Sequence, residues 1–210
     1  DHLAQFGDAL LVGGDLRLQV GDVLMWIARR VRVVREQRAQ FGLAVFWILN
    51  GLLKKMLIGD YIAVNFIDRV FADPMRFTGF ENMMAAFGYS LQVYADFSGY
   101  TDIAIGLALL LGFKFPQNFD SPYAAVSLQD FWRRWHMTLS RWLRDYVYIP
   151  LGGSRGSGLL TYRNLLLTML IGGLWHGAGW TFVVWGAIHG SGLVAERWWK
   201  QRPGYVAPPD

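Results

Sequence analysis

From Leu165 to Ala195 the chain runs 31 residues without an Asp, Glu, Lys or Arg. A helix rises about 1.5 Å per residue, so this stretch exceeds the roughly 30 Å of bilayer hydrocarbon. Soluble proteins rarely concentrate apolar residues in runs this long. The stretch predicts a membrane span, with His176 placed mid-span. An imidazole inside a span is costly unless something there uses it. His189, thirteen residues later, falls near the span's end in this reading and has a structural or secondary role.

The rest of the chain agrees. It is 53% hydrophobic with 10 Trp, and its 17% of charged residues compares with about 25% in soluble domains. Ala39 to Leu53 is uncharged and reads as a second span, ended by Lys54-Lys55 with their heads drawn toward the interface. Asn82 to Phe113 carries only Asp96 and Asp102 as charges. Two helices are expected there, or one broken near Phe97-Ser98-Gly99. Asp96 and Asp102 are read as structural polar residues. Buried carboxylates need donors; Ser98, Tyr100 and Thr101 are the local candidates, and the arginines near His136 the distant ones. Asp73-Pro74 marks a turn, Ser127 is placed to cap a helix, and Tyr148 to Gly158 is a stop followed by a glycine-rich turn. The glycines from Gly172 to Gly192 permit close helix approach. The expected fold is all-α: a multi-span transmembrane helical bundle with amphipathic or re-entrant helices.

Three segments follow. Residues 1–40 form an amphipathic and basic interfacial segment, with Leu16, Val20, Val23, Leu24 and Ile27 at helical spacing before an arginine cluster. Residues 41–200 form the core, and 201–210 a polar tail. The chain reads as a piece of a longer protein. With no cysteine, disulfides, thiolate catalysis and Cys-ligated metals are excluded. The net charge of +4 fits basic residues flanking spans rather than a nucleic-acid face. His2, His136, His176 and His189 lack the i, i+4 spacing of a helical zinc pair, so no metal is expected.

On a single helical wheel over 131–146, Phe131, Trp132, Trp135, Leu139, Trp142, Leu143 and Tyr146 share one arc of about 120°. Arg133, Arg134, Arg141 and Arg144 oppose it. His136 lies at the edge of the aromatic arc. From the wheel alone it is either an edge residue without chemistry, the reading the wheel favours, or a group reaching inward while the arginines meet headgroups or an anionic ligand. A neutral, desolvated imidazole such as that expected of His176 can act as a general base toward a hydroxyl.

Several blocks carry a resemblance: Tyr89 to Gly106, Gly112 to Phe119, Phe131 to Ser140, Arg144 to Gly153, Gly173 to Ala178 and Trp185 to Gly190. Over about two-thirds of its length the chain resembles the bacterial membrane-bound O-acyltransferase family, in its alginate O-acetylation branch. The Pro150-Leu151-Gly152-Gly153 continuation is more similar to that branch than to the D-alanyl transfer type. The resemblance implies a multi-pass enzyme of the bacterial cytoplasmic (inner) membrane, with helices surrounding a tunnel where donor and acceptor meet. Residues 41–200 would be part of its core. It implies His176 as the catalytic histidine and His136 as the second polar active-site residue, which displaces the edge-residue reading. Trp135, Trp175, Arg133 and Arg134 are the substrate-binding candidates beside them. No bound cofactor is expected; an acyl thioester, acetyl-CoA, is the co-substrate. The expected partners are membrane lipids and an exported polysaccharide or an extracytoplasmic acetyltransferase, with no nucleic acid. The rival expectations are a non-enzymatic transporter or scaffold subunit using an Asp/His relay, and a soluble helical domain.

Overall fold

The computed structural model describes residues 16–206; at 16–24, 26, 32–35 and 37 only the backbone is described. Among the described residues every regular element is helical. The chain forms two compact units that divide between Phe115 and Pro116.

In the first unit, α1 spans Leu16–Leu53. It does not stop at Lys54-Lys55 as expected. The helical path continues through π-helical turns at Lys54–Asp60 and Ala63–Ile67 into α2, Asp68–Ala72. Lys54 Nζ pairs with Asp102 at 2.7 Å, and Lys55 Nζ reaches Asp60 at 2.7 Å and Asp96 at 2.8 Å. Charges matched sideways need no helix end. Arg38–Ala72 is the one helical stretch among the described residues long and apolar enough to cross a membrane, and only 11% of its apolar window is buried inside the protein. Phe41, Phe46, Met56 and Leu57 all point outward, as side chains facing lipid do.

Pro74 opens a short 3-10 turn after Asp73, as expected. Thr78 and Glu81 then form a reciprocal capping box that starts α3, Gly79–Leu110. This helix is continuous, which corrects the expected break near Gly99. Gly99 is a crossing point instead: a Cβ there would lie 2.7 Å from the Gly51 carbonyl oxygen, and one on Gly106 would lie 2.6 Å from that of Ala44. The carboxylate donors also differ from expectation. Asn50 Nδ2 donates to Asp102 at 2.7 Å alongside Lys54. Thr101 donates to the Ser98 carbonyl, the Ser98 hydroxyl is buried without a partner among the described residues, and Tyr100 is exposed. The lysines lie 41 and 48 residues away in another helical stretch, so local sequence could not nominate them.

In the second unit, Ser127 accepts from the Asp130 N–H and caps α4, Leu128–Arg134, as expected. The single helix expected over 131–146 is instead two. It breaks at Trp135-His136 and resumes as α5, Met137–Leu143, before a π turn at Arg144–Tyr148. The glycine-rich turn after Pro150 is fixed by the fully buried Asn164, whose amide donates to the Gly153 carbonyl at 2.9 Å.

The uncharged stretch is likewise not one span. It divides into α6, Gly158–His176, and α7, Trp180–Lys200, at Gly177-Ala178-Gly179. His176 therefore ends α6 rather than lying mid-span, and His189 lies in the middle of α7 rather than near its end. The two helices pack back on each other through glycine, as expected. A Cβ on Gly186 would sit 2.5 Å from the Met169 carbonyl oxygen, and one on Gly173 would collide with that of Phe182.

Candidate functional site

The break between α4 and α5 positions the first histidine. His136 holds φ 42° and ψ 56°, a left-handed conformation uncommon for any residue but glycine. The preceding loop clamps it. The Met137 N–H donates to the Asn118 carbonyl at 2.9 Å, and the Asp120 N–H donates to the Arg134 carbonyl at 3.0 Å. Asn118 Oδ1 accepts from both the Thr138 N–H and the Thr138 hydroxyl. Phe119 packs edge-on against Trp135 at 5.0 Å, and Phe131 stacks on the same indole at 5.5 Å. The kink turns His136 inward to 9% exposure.

Opposite it, α6 delivers His176. Both rings line one cavity of about 110 Å³, with Trp132, Trp135, Leu139, Ser140, Leu143, Thr168, Met169, Gly172 and Trp185. His176 is the exposed member of the pair. Trp185 meets it edge-on at 5.3 Å and Phe182 stacks on it at 6.1 Å. Trp175 bridges the two sides, 5.8 Å from the His136 ring and 5.0 Å from that of His176. His189 backs this wall, 4.6 Å from Trp185 and 5.2 Å from Trp132. The volume holds about three or four water-sized groups. It is sized for a few heavy atoms next to two imidazoles that can each give or take a proton.

The remaining candidates separate. Trp135 lines the cavity. Arg134 turns to the loop side, paired with Asp130 at 3.0 Å and donating to the Asp120 carbonyl. Its hydrogen bond, with lesser help from the Val126 N–H, holds the Asp130 carboxyl below its ordinary range. Arg133 lines a second, larger cavity. Asp96 and Asp102 belong to the first unit, each held by lysine.

Sequence reasoning missed most of the apolar lining. A signal was present. Thr168, Gly172 and His176 recur every four residues along α6, and Leu139, Ser140 and Leu143 follow His136 by three, four and seven, so each set shares a helix face. Asn118 was noticed only within a matching block, since its partner lies twenty residues away.

The model of the membrane-bound O-acyltransferase family matches residues 28–202. The chain is 54% identical over 149 residues to the probable alginate O-acetylase of Azotobacter vinelandii, covering 71% of this chain and 30% of that protein. It is 53% identical over 156 residues to the peptidoglycan O-acetyltransferase of Helicobacter pylori, covering 74% and 29%. Identity to the teichoic acid D-alanyltransferase of Bacillus subtilis is 31% over 166 residues, covering 73% and 42%. The matched region thus spans about three-tenths of the length of the O-acetylating relatives. Family match and identity together establish that this chain belongs to the membrane-bound O-acyltransferase family.

Proposed function

We propose that the chain is the histidine-bearing part of a multi-pass inner-membrane O-acetyltransferase that moves an acetyl group from a thioester, acetyl-CoA, toward hydroxyls of an exported, alginate-like polysaccharide. The single observation that carries this is the shared cavity: His136 and His176, forty residues apart, face the same small apolar space. In the reaction, the acceptor oxygen attacks the thioester carbonyl. His176, the more accessible ring, accepts the hydroxyl proton. His136 positions or polarises the carbonyl from the buried side. The C–S bond breaks, the acetyl ester forms, and the departing thiolate takes up a proton. Trp135 and Trp175 hold the reacting groups in line. A space of a few heavy atoms suits acetyl over a long acyl chain.

Identity above 50% to proteins named for O-acetylation, against 31% to one named for D-alanyl transfer, supports acetyl as the group carried. In the family's tunnel architecture, with further helices around this part, acceptor and donor would enter from opposite leaflets. The immediate acceptor is either the polysaccharide or an extracytoplasmic acetyltransferase that passes the group on. A relay through Asp96 and Asp102 draws no support, because both carboxylates are engaged by lysine.

The test is His176→Ala and His136→Ala in the full-length protein carrying this chain, with acetyl ester on the polysaccharide as the readout. General-base catalysis contributes about 10²–10⁴-fold, so ester should fall by at least 10²-fold for His176→Ala. Undiminished esterification in protein that still inserts and folds removes this mechanism.

A further inference from the structure

We propose that the larger cavity of the second unit is an anion site for a phosphate-bearing ligand. This cavity of about 740 Å³ lies beside the histidine cavity, with Trp132 and Ser140 forming walls of both. Its lining holds Arg133, Arg141, Arg144, Arg197 and Lys200 against a single acid, Glu196. Three of these cations are already engaged. Lys200 pairs with Glu196, Arg144 pairs with Asp145, and Arg141 donates to the Met137 carbonyl.

Arg133 and Arg197 are different. Arg133 is exposed and acts on Asp130 through its charge, and among the described residues Arg197 Nε is buried without an acceptor. The Trp132 indole N–H, on the shared wall, is also buried without an acceptor among the described residues. Buried donors without acceptors are rare and call for an explanation. Two guanidinium groups facing one space fit the tetrahedral oxygens of a phosphate, which they can bind in pairs. One carboxylate would balance only part of the charge. A volume of this size is typical of cavities that take whole small molecules. Two sources share this chemistry: the nucleotide phosphates of a thioester donor, and the headgroup of an anionic lipid. The inference stands on the cavity's own charges and does not need the acyl-transfer reading.

The experiment titrates the full-length protein in neutral detergent with pyrophosphate, with adenosine 3′,5′-bisphosphate, and with nanodiscs of phosphatidylglycerol or phosphatidylcholine. Calorimetry reads binding. Pyrophosphate is expected to bind, and Arg197→Gln or Arg133→Gln to weaken it at least tenfold, with Arg197→Lys intermediate. Exposed Arg133 provides the variant least apt to disturb folding. Displacement of pyrophosphate by the bisphosphate identifies a nucleotide source; displacement by phosphatidylglycerol alone identifies a lipid. Absence of binding by any phosphate probe, or wild-type affinity in both Gln variants, overturns the proposal. His176→Ala should bind pyrophosphate normally, so loss of esterification and loss of anion binding are separate results.

Discussion

The side-chain oxygen of Asn118 accepts two hydrogen bonds from Thr138, from its N–H at 3.1 Å and its hydroxyl at 2.7 Å. That double contact pins the first turn of α5 two residues beyond His136, whose left-handed backbone costs about 1–2 kcal/mol for an L-residue. A strained residue persists only where its surroundings over-determine it.

Asn118→Ala should therefore release the kink. Stranding the half-buried Thr138 donors costs about 1–3 kcal/mol. Thermal unfolding in detergent should register that loss, and acetyl ester should drop with it. Asn118→Asp keeps an acceptor at the same place and should retain most of both. Equal losses for Ala and Asp would mean the contact does not hold His136.

Trp175 touches both histidines without bearing a proton of its own to transfer. Edge and tilted ring pairs are worth about 0.5–1.5 kcal/mol each, equivalent to roughly 2–12-fold in rate per pair. Trp175→Ala should lower kcat within that range for each contact, and Trp175→Phe should lose less. A kcat unchanged in Trp175→Ala would show that the rings are aligned by the helices alone.

Gly186 is one of the points where α7 packs closely on α6. A Cβ there meets the Met169 carbonyl and lies 3.1 Å from the Leu170 Cα, both backbone atoms that cannot rotate aside. Gly186→Ala should separate the helices and cost about 1–3 kcal/mol, as overpacking does. Because Met169 lines the histidine cavity, activity should fall more steeply than stability. Gly158, which has open space around its Cβ position, should tolerate alanine.

The sequence carried the helical class, the Ser127 cap, the turn at Pro74 and the glycine contacts of α6 and α7, because each rests on neighbours or on helix spacing. It did not carry the break at His136. No Gly or Pro marks that position, and the bonds that impose it come from Asn118 and Asp120, in a separate loop. It also misjudged both apolar runs. Gly99 looked like a break and is a crossing. Gly177-Ala178-Gly179 fell inside one expected span and is the turn between two helices. Glycine permits close packing and chain reversal equally; only a partner helix decides between them. The carboxylates Asp96 and Asp102 were correctly read as needing donors. Their lysines lie 41 and 48 residues away, beyond any local signal.

Lys54 and Asp102 offer a test of that pairing. The Asp102 side chain is 8% exposed, and its partner is 25% exposed. Removing one member of a buried pair costs about 3–5 kcal/mol, because the other is left charged and unpaired. Lys54→Met should fall near the lower end, since Asn50 still donates to Asp102. Asp102→Asn alone should cost less, and combining it with Lys54→Met should recover much of the loss. A double variant as unstable as the sum of the singles would show that the two residues act independently.

Asp130 sets an acid limit on the segment that leads into His136. Its carboxylate accepts from Arg134 Nε at 3.0 Å and from the Val126 N–H at 3.3 Å. The Arg134 hydrogen bond is the main reason that its pKa lies below the ordinary 3.8. A carboxyl held lower in the folded chain than in the unfolded one adds stability above pH 3.8, and that contribution disappears as pH falls through the folded value. The unfolding temperature should therefore decline between pH 5 and pH 3 more steeply in the native sequence than in Asp130→Asn, which has no proton to gain there. Above pH 5 the variant should be the less stable, with a constant offset. Parallel curves across the whole range would mean that Asp130 is not linked to the fold of α4.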